Sequence, residues 1–151
     1  MSVTVPAGLR HAVVDDDGGQ EWLDSIPARA ARAVERWDLV LGEPFETGMA
    51  GWTAPATTAA GADVVLKLSY PHSEARDEAA ALAAWHGAGA VEMVGADADD
   101  WALLLHRLRP GSTLGTSISR LWSTSPSARS YCAGWRRSQS PRVSRSRTSS
   151  R

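Results

Sequence analysis

An α+β fold, one antiparallel sheet packed against a helix, is what the order of patterns in this sequence predicts. Three observations carry it. Residues 20–37 repeat apolar positions at helical spacing. Residues 39–69 change to short extended runs broken by glycine, ending in the unbroken strand signal Asp63-Val-Val-Leu-Lys-Leu-Ser69. A second helical stretch then begins near Ser73 and is followed by two more extended runs. The order is helix, three strands, helix, two strands.

Residues 1–19 are polar, and the acidic, glycine-rich Asp15–Gly19 reads as a loop. Gln20 to Trp37 is helical, with Pro27 tolerated at the start of a second part and Ala30, Ala31, Val34 and Trp37 at helical spacing. Leu39–Phe45 is expected as a strand, followed by the turn Glu46–Gly51. Trp52–Thr58, rich in threonine, is the second strand, and Ala59–Ala62 its hairpin turn. Asp63–Ser69 is the third. Tyr70–Ser73 turns the chain into a helix with Ser73 as N-cap, running to about His86 and ended by Gly87–Gly89. Val91–Val94 and Trp101–Leu108 complete the sheet, joined by the acidic turn Asp97–Asp100, and Pro110-Gly111 punctuates the end of the pattern.

Charge divides the chain. All 17 acidic residues lie in positions 1–115, where Lys67 and seven arginines give a net −9; positions 116–151 hold eight arginines, no acid and 12 serines. A stretch of that composition cannot bury enough apolar surface to offset chain entropy, so disorder is expected there. The domains expected are an N-terminal helical extension (1–37), a folded lobe (38–111) and a Ser/Arg-rich disordered tail (112–151). The start of the chain has no charged-then-apolar signal pattern, and no run reaches the 18 or so apolar residues that span a membrane. Cys132 is the single cysteine, and the four histidines are scattered without zinc spacing. A cytoplasmic protein without a membrane segment or structural metal is expected.

Lys67 is the only lysine in the chain. A compact ammonium where every other cation is a guanidinium suggests a site needing a point charge on a flexible stem. Strand alternation puts Val65 and Lys67 on one face and Val64, Leu66 and Leu68 on the other. A half-buried ammonium needs an anionic partner; the plain alternative is an edge-strand lysine reaching water. In the next helix Ala75, Glu78, Leu82 and Trp85 form one stripe, so Glu78 stands where an apolar residue would pack on the sheet. Pairing with Lys67 accounts for it, with Glu74 and Asp77 as rival partners and a solvent-facing Glu78 as the bland reading.

Val64–Lys67 resembles the V-A-I-K strand of kinases. More closely, Val-Val-Leu-Lys-Leu, Glu-Ala-Ala-Ala-Leu (78–82), Gly-Ala-Val (89–91), Leu-Leu-Leu-His-Arg-Leu (103–108) and Pro110-Gly111 resemble the aminoglycoside/hydroxyurea phosphotransferase family, which includes streptomycin 6-phosphotransferases. The likeness covers about residues 20–115. It implies a kinase-like N-terminal lobe, a five-stranded antiparallel sheet plus one packed helix, preceded by the helical segment. It also implies an enzyme using ATP and Mg²⁺ to phosphorylate a hydroxyl of a small molecule, an aminoglycoside-type antibiotic. In that likeness Lys67 binds the α- and β-phosphates, Glu78 orients it, and Val65 packs on adenine. The His106 carbonyl and Leu108 amide hydrogen-bond adenine, with Leu105 behind them. The turn Gly48–Gly51 covers the phosphates, although it does not match G-x-G-x-x-G. Where His106 stands the family commonly has Glu, a departure a backbone contact tolerates.

The family's chemistry also requires an H-x-D…N loop and a metal-binding Asp. No H-x-D occurs here, and no acid follows Asp100, so no catalytic base or metal ligand is expected in this chain. Serine and arginine codons are GC-rich, and a tail out of frame beyond residue 115, in a truncated or frameshifted product, is the explanation this pattern favours. The rival is a non-catalytic kinase-like module whose basic tail binds nucleic acid; the absence of lysine, Gly-rich repeats and regular aromatic interleaving in the tail argues against it. A dinucleotide-binding domain is excluded: no G-x-G-x-x-G lies between a strand and a helix, and there is no P-loop Gly-Lys-Ser/Thr.

Overall fold

Alternation along the third strand decides the architecture. Val64, Leu66 and Leu68 are fully buried, while Asp63, Val65 and Lys67 on the other face are only half-buried. One face of the sheet is therefore a dry core and the other an open cleft. These features come from a computed structural model, which describes residues 3–46 and 48–109. The Ser/Arg-rich tail expected over 112–151 lies outside the described residues.

In chain order the elements are α1 (Ala7–Val13), α2 (Gly19–Trp37), β1 (Leu39–Leu41), β2 (Gly51–Thr58), β3 (Asp63–Ser69), α3 (Ser73–Arg76), α4 (Glu78–Trp85), β4 (Met93–Asp97) and β5 (Ala102–His106). The strands form one antiparallel sheet in the order β1-β2-β3-β5-β4. β3 has the bounds its sequence predicts. The fold is α+β, as expected, with a five-stranded antiparallel sheet.

β4 runs Met93–Asp97 where Val91–Val94 is expected, taking Asp97 out of the turn, and β5 is Ala102–His106, shorter than the expected Trp101–Leu108. Four further local features differ from the sequence-based expectation, each for a physical reason. Helix α1 lies in the segment read as polar and irregular: Leu9 and Val13, one turn apart, are its buried face. Helix α2 runs unbroken through Pro27, which is solvent-exposed, so the missing N–H costs a hydrogen bond but the helix is held by its packing. Its buried stripe is counted from Trp22, Leu23 and Ile26 to Ala30 and Ala33, and Ala31 faces water. β1 stops at Leu41 instead of Phe45. Pro44 has no N–H to give a ladder, and only the Gly42 N–H to Pro55 (2.8 Å) and the Phe45 N–H to Thr53 (2.9 Å) keep this segment beside β2. Finally, the helix expected over residues 73–86 is two pieces, broken at Asp77 (φ −97°, ψ 0°), and its cap is His72, whose Nδ1 accepts from the Ala75 N–H at 3.3 Å.

The core lies between α1, α2 and the closed face of the sheet. Leu9, Leu23, Ile26, Trp52, Leu66 and Leu68 pack into one cluster, with Leu39, Val64 and Leu104 in a second beside it. Each such aliphatic side chain contributes about 1.5–3 kcal/mol by leaving water. Polar contacts tie α2 to the turn between β4 and β5. Arg32 grips Asp100 with two hydrogen bonds of 2.7 and 2.5 Å, Arg29 reaches the same carboxylate at 3.5 Å, and Arg36 meets Asp97 at 3.2 Å. The hydrogen bonds from Arg32 hold the Asp100 carboxyl below its ordinary pKa, against the opposing effect of burial.

Candidate functional site

The open face of the sheet presents six residues in two cross-strand rows. Register sets Lys67 opposite Thr53 on β2 and Leu103 on β5, and sets Val65 opposite Pro55 and Leu105. Since partners across a strand pair share a face, Pro55, Val65 and Leu105 make an apolar floor, and Lys67 stands at one end of it.

Lys67 is paired. Its Nζ lies 2.5 Å from Glu78 Oε1, and the two side chains are 27% and 29% exposed, so the pair is about three-quarters withdrawn from water. The Ser69 hydroxyl, itself buried, lies 3.5 Å from the second Glu78 oxygen. The rival partners Glu74 and Asp77 are exposed. The break at Asp77 makes Glu78 the first residue of α4, where an acid also suits the helix N-terminus. Of the stripe expected to pack on the sheet, Ala75, Glu78 and Leu82 are half-buried, but Trp85 is 55% exposed and its ring lies against Gly89 instead.

The glycines of the turn before β2 are there for close approach. A Cβ on Gly48 would stand 2.4 Å from the Gly51 carbonyl oxygen, and one on Gly51 would stand 3.0 Å from the Leu68 carbonyl and 3.6 Å from Lys67 Cε. Gly51 thus lies beside the lysine stem, and at Gly48 and Gly51 a Cβ would crowd backbone carbonyls. At the far end of the floor, the His106 N–H donates to the Glu92 carbonyl (2.9 Å) and the Arg107 N–H to the Asp63 carbonyl (3.2 Å). Leu108 follows, 67% exposed. Two residues that sequence reading did not single out also stand here. The Arg107 guanidinium lies 5.9 Å from the centroid of the Phe45 ring and 3.4 Å from Asp63 Oδ1. No local pattern could reveal a contact between residues so far apart in sequence.

Between the helices and β4–β5 is a mainly apolar cavity of about 200 Å³ lined by Ala75, Ala79, Trp101 and Leu103 among others. Among the described residues no group of three His, Cys, Asp or Glu side chains could hold a metal ion, and no helix is long and apolar enough to cross a membrane.

A five-stranded antiparallel sheet whose third strand offers a lysine to a glutamate on the following helix defines a kinase-like small lobe. The chain belongs to the aminoglycoside/hydroxyurea antibiotic resistance kinase family, whose sequence profile matches residues 36–140. That match runs beyond residue 115, where the motif-by-motif likeness stops. The chain is 35% identical over 120 residues to a hydroxyurea phosphotransferase of Kitasatospora aureofaciens, covering 78% of this chain and 35% of that protein. It is 33% identical over 116 residues to a streptomycin 6-kinase of Streptomyces griseus (76% and 38%), and 28% identical to one of Streptomyces glaucescens (77% and 38%). It therefore spans little more than a third of the length of these curated relatives. No solved structure matches it.

Proposed function

We propose that this chain supplies the nucleotide-binding lobe of an ATP-dependent phosphotransferase acting on a hydroxyl of a small molecule of the aminoglycoside type. The observation that carries the reading is the 2.5 Å Lys67–Glu78 pair at the end of an apolar floor. Two relatives are named streptomycin 6-kinase, which supports the acceptor class.

In this reading Lys67 takes the α- and β-phosphates of ATP. An ammonium held by one carboxylate oxygen keeps two of its three protons for phosphate oxygens. Glu78 aims it, and Ser69 steadies the free oxygen of Glu78. Val65, with Pro55 and Leu105 beside it, packs against adenine, and the His106 carbonyl and Leu108 N–H meet its polar edge. The Gly48–Gly51 turn covers the phosphates, where a side chain would obstruct the approach. When bound, Mg²⁺ neutralises charge on the transferred phosphoryl group. Among the described residues no group of three His, Cys, Asp or Glu side chains fits a site for it. A cytoplasmic location agrees with the use of ATP.

The test is calorimetric titration of the full chain with ATP, alongside Lys67→Ala. A loss of at least tenfold in affinity is expected on removing the charge. Equal affinities in two proteins with the same circular dichroism would end the role of Lys67.

A further inference from the structure

Phe45 lies in no motif and Arg107 carries no assigned role, yet the two meet across the open face of the sheet. The Phe45 N–H bonds the Thr53 carbonyl, so Phe45 stands level with Thr53 and, through the β2–β3 register, with Lys67. Arg107 stands level with Asp63, to which it is bonded through both its main chain and its side chain. Asp63 lies four residues from Lys67 along β3, about 13 Å away. The line from Phe45 to Arg107 therefore runs obliquely over β2 and β3, and its midpoint falls on the paired residues Pro55 and Val65. The ring and the guanidinium, 5.9 Å apart, roof the apolar floor at its middle.

Such a roof suits a planar aromatic ligand. Phe45 is still 37% exposed, and a cation over a ring at an exposed site is a weak contact that a better partner displaces. A nucleobase stacked on the ring is a better partner, because it buries apolar area on both of its faces. A base placed there would have the apolar floor below it, the Phe45 ring above it and the cation, braced by Asp63, at its outer end. Lys67 lies about two residue pairs further in, which leaves room for a ribose between base and phosphate.

We propose that Phe45 is the base-stacking residue of the nucleotide site and that Arg107, braced by Asp63, is a positioning residue that holds the ring over Val65, so that the pair favours purines over pyrimidines. This rests on the reading in which Lys67 binds phosphate. Purines are favoured because two fused rings cover more of Phe45 and of the floor than one ring does. Arg107 acts through Phe45, limiting the ring positions available before the base arrives.

Titration of the full chain with ATP, CTP and inorganic tripolyphosphate separates the parts. In Phe45→Ala, ATP affinity falls on the order of tenfold, CTP affinity falls less, and tripolyphosphate affinity is unchanged. Phe45→Trp keeps the purine preference. Arg107→Ala lowers the ATP-to-CTP ratio without touching tripolyphosphate, and Arg107→Lys, which keeps the cation, restores part of it. Lys67→Ala weakens ATP and tripolyphosphate together. An unchanged ATP-to-CTP ratio in both Phe45→Ala and Arg107→Ala overturns the clamp while the phosphate reading stands. Failure of the unaltered chain to bind either ATP or tripolyphosphate overturns both.

Discussion

Glu78→Gln keeps the size and shape of the side chain that meets Lys67 and removes its charge. The pair sits between two regimes. Exposed pairs are worth about 0–1 kcal/mol, whereas removing one partner of a fully buried pair costs about 3–5 kcal/mol. At 27% and 29% exposure the Lys67–Glu78 pair lies between, so Glu78→Gln should cost about 1–2 kcal/mol of stability. Glu78 makes no contact with nucleotide in the proposed site; it acts by aiming Lys67. Its effect on binding should therefore depend on the lysine. A double-mutant cycle with Lys67→Met, read by calorimetric titration with ATP, tests this. Glu78→Gln alone should weaken ATP several-fold, Lys67→Met more, and the double variant no more than Lys67→Met. Losses that simply add would show that Glu78 meets the ligand by itself, and a cycle with no coupling in urea denaturation would show that the ion pair is not formed in solution.

The Arg32–Asp100 contact predicts a pH dependence. Because the Asp100 carboxyl titrates below its ordinary value of about 3.9, its contribution is complete above that value and is lost as pH falls through the lower folded-state value. Asp100→Asn should lower the melting temperature by a few degrees at pH 7, and the gap should close progressively as acid protonates the carboxyl through its lowered folded-state value; a gap that does not narrow in acid would refute it. Gly51→Ala sets a Cβ 3.0 Å from the Leu68 carbonyl, inside a ladder that cannot move freely, and should cost about 1–3 kcal/mol in urea denaturation. Gly19→Ala is harsher. Its Cβ would overlap the Val13 carbonyl oxygen at 1.8 Å and force α1 away from α2, giving a larger loss than Gly51→Ala in the same assay.

The parts of the fold that were legible in the sequence are those fixed by short-range pattern. β3 announced itself because five consecutive apolar or amphipathic residues between Asp63 and Ser69 satisfy a buried strand, and its alternation alone assigned Lys67 to the cleft face. Glu78 was legible because a carboxylate interrupted an apolar stripe. What failed, failed for want of context. Helix α1 displays only Leu9 and Val13, too few positions to establish a period, and its face is completed by α2 and the sheet. A phase that restarts at Pro27 sets Ala31 in the stripe of α2; the unbroken helix counts through Pro27 and turns the stripe to Ala33. The break at Asp77 has no sequence marker such as Gly or Pro, and Trp85 followed the expected face yet stayed exposed. Phe45 and Arg107 could not be found at all without the sheet order, since β2 and β3 separate them.

The division of labour between cations supports the assignment of Lys67. Each arginine contact described here uses the planar fork or its face: Arg32 holds both oxygens of Asp100, Arg29 and Arg36 join the same turn, and Arg107 spans a carboxylate and an aromatic ring. These are static duties, which delocalised and weakly hydrated guanidinium groups serve well. Lys67 has a different contact, one oxygen of one carboxylate at 2.5 Å, on the half-open face of the sheet. A guanidinium there could fork onto both Glu78 oxygens and displace Ser69, leaving fewer donors for an incoming anion. An ammonium cannot saturate its partner in that way, and so it stays available. In a chain that otherwise uses only arginine, that availability is a physical reason for one lysine, at the strand position where a nucleotide phosphate is proposed to bind.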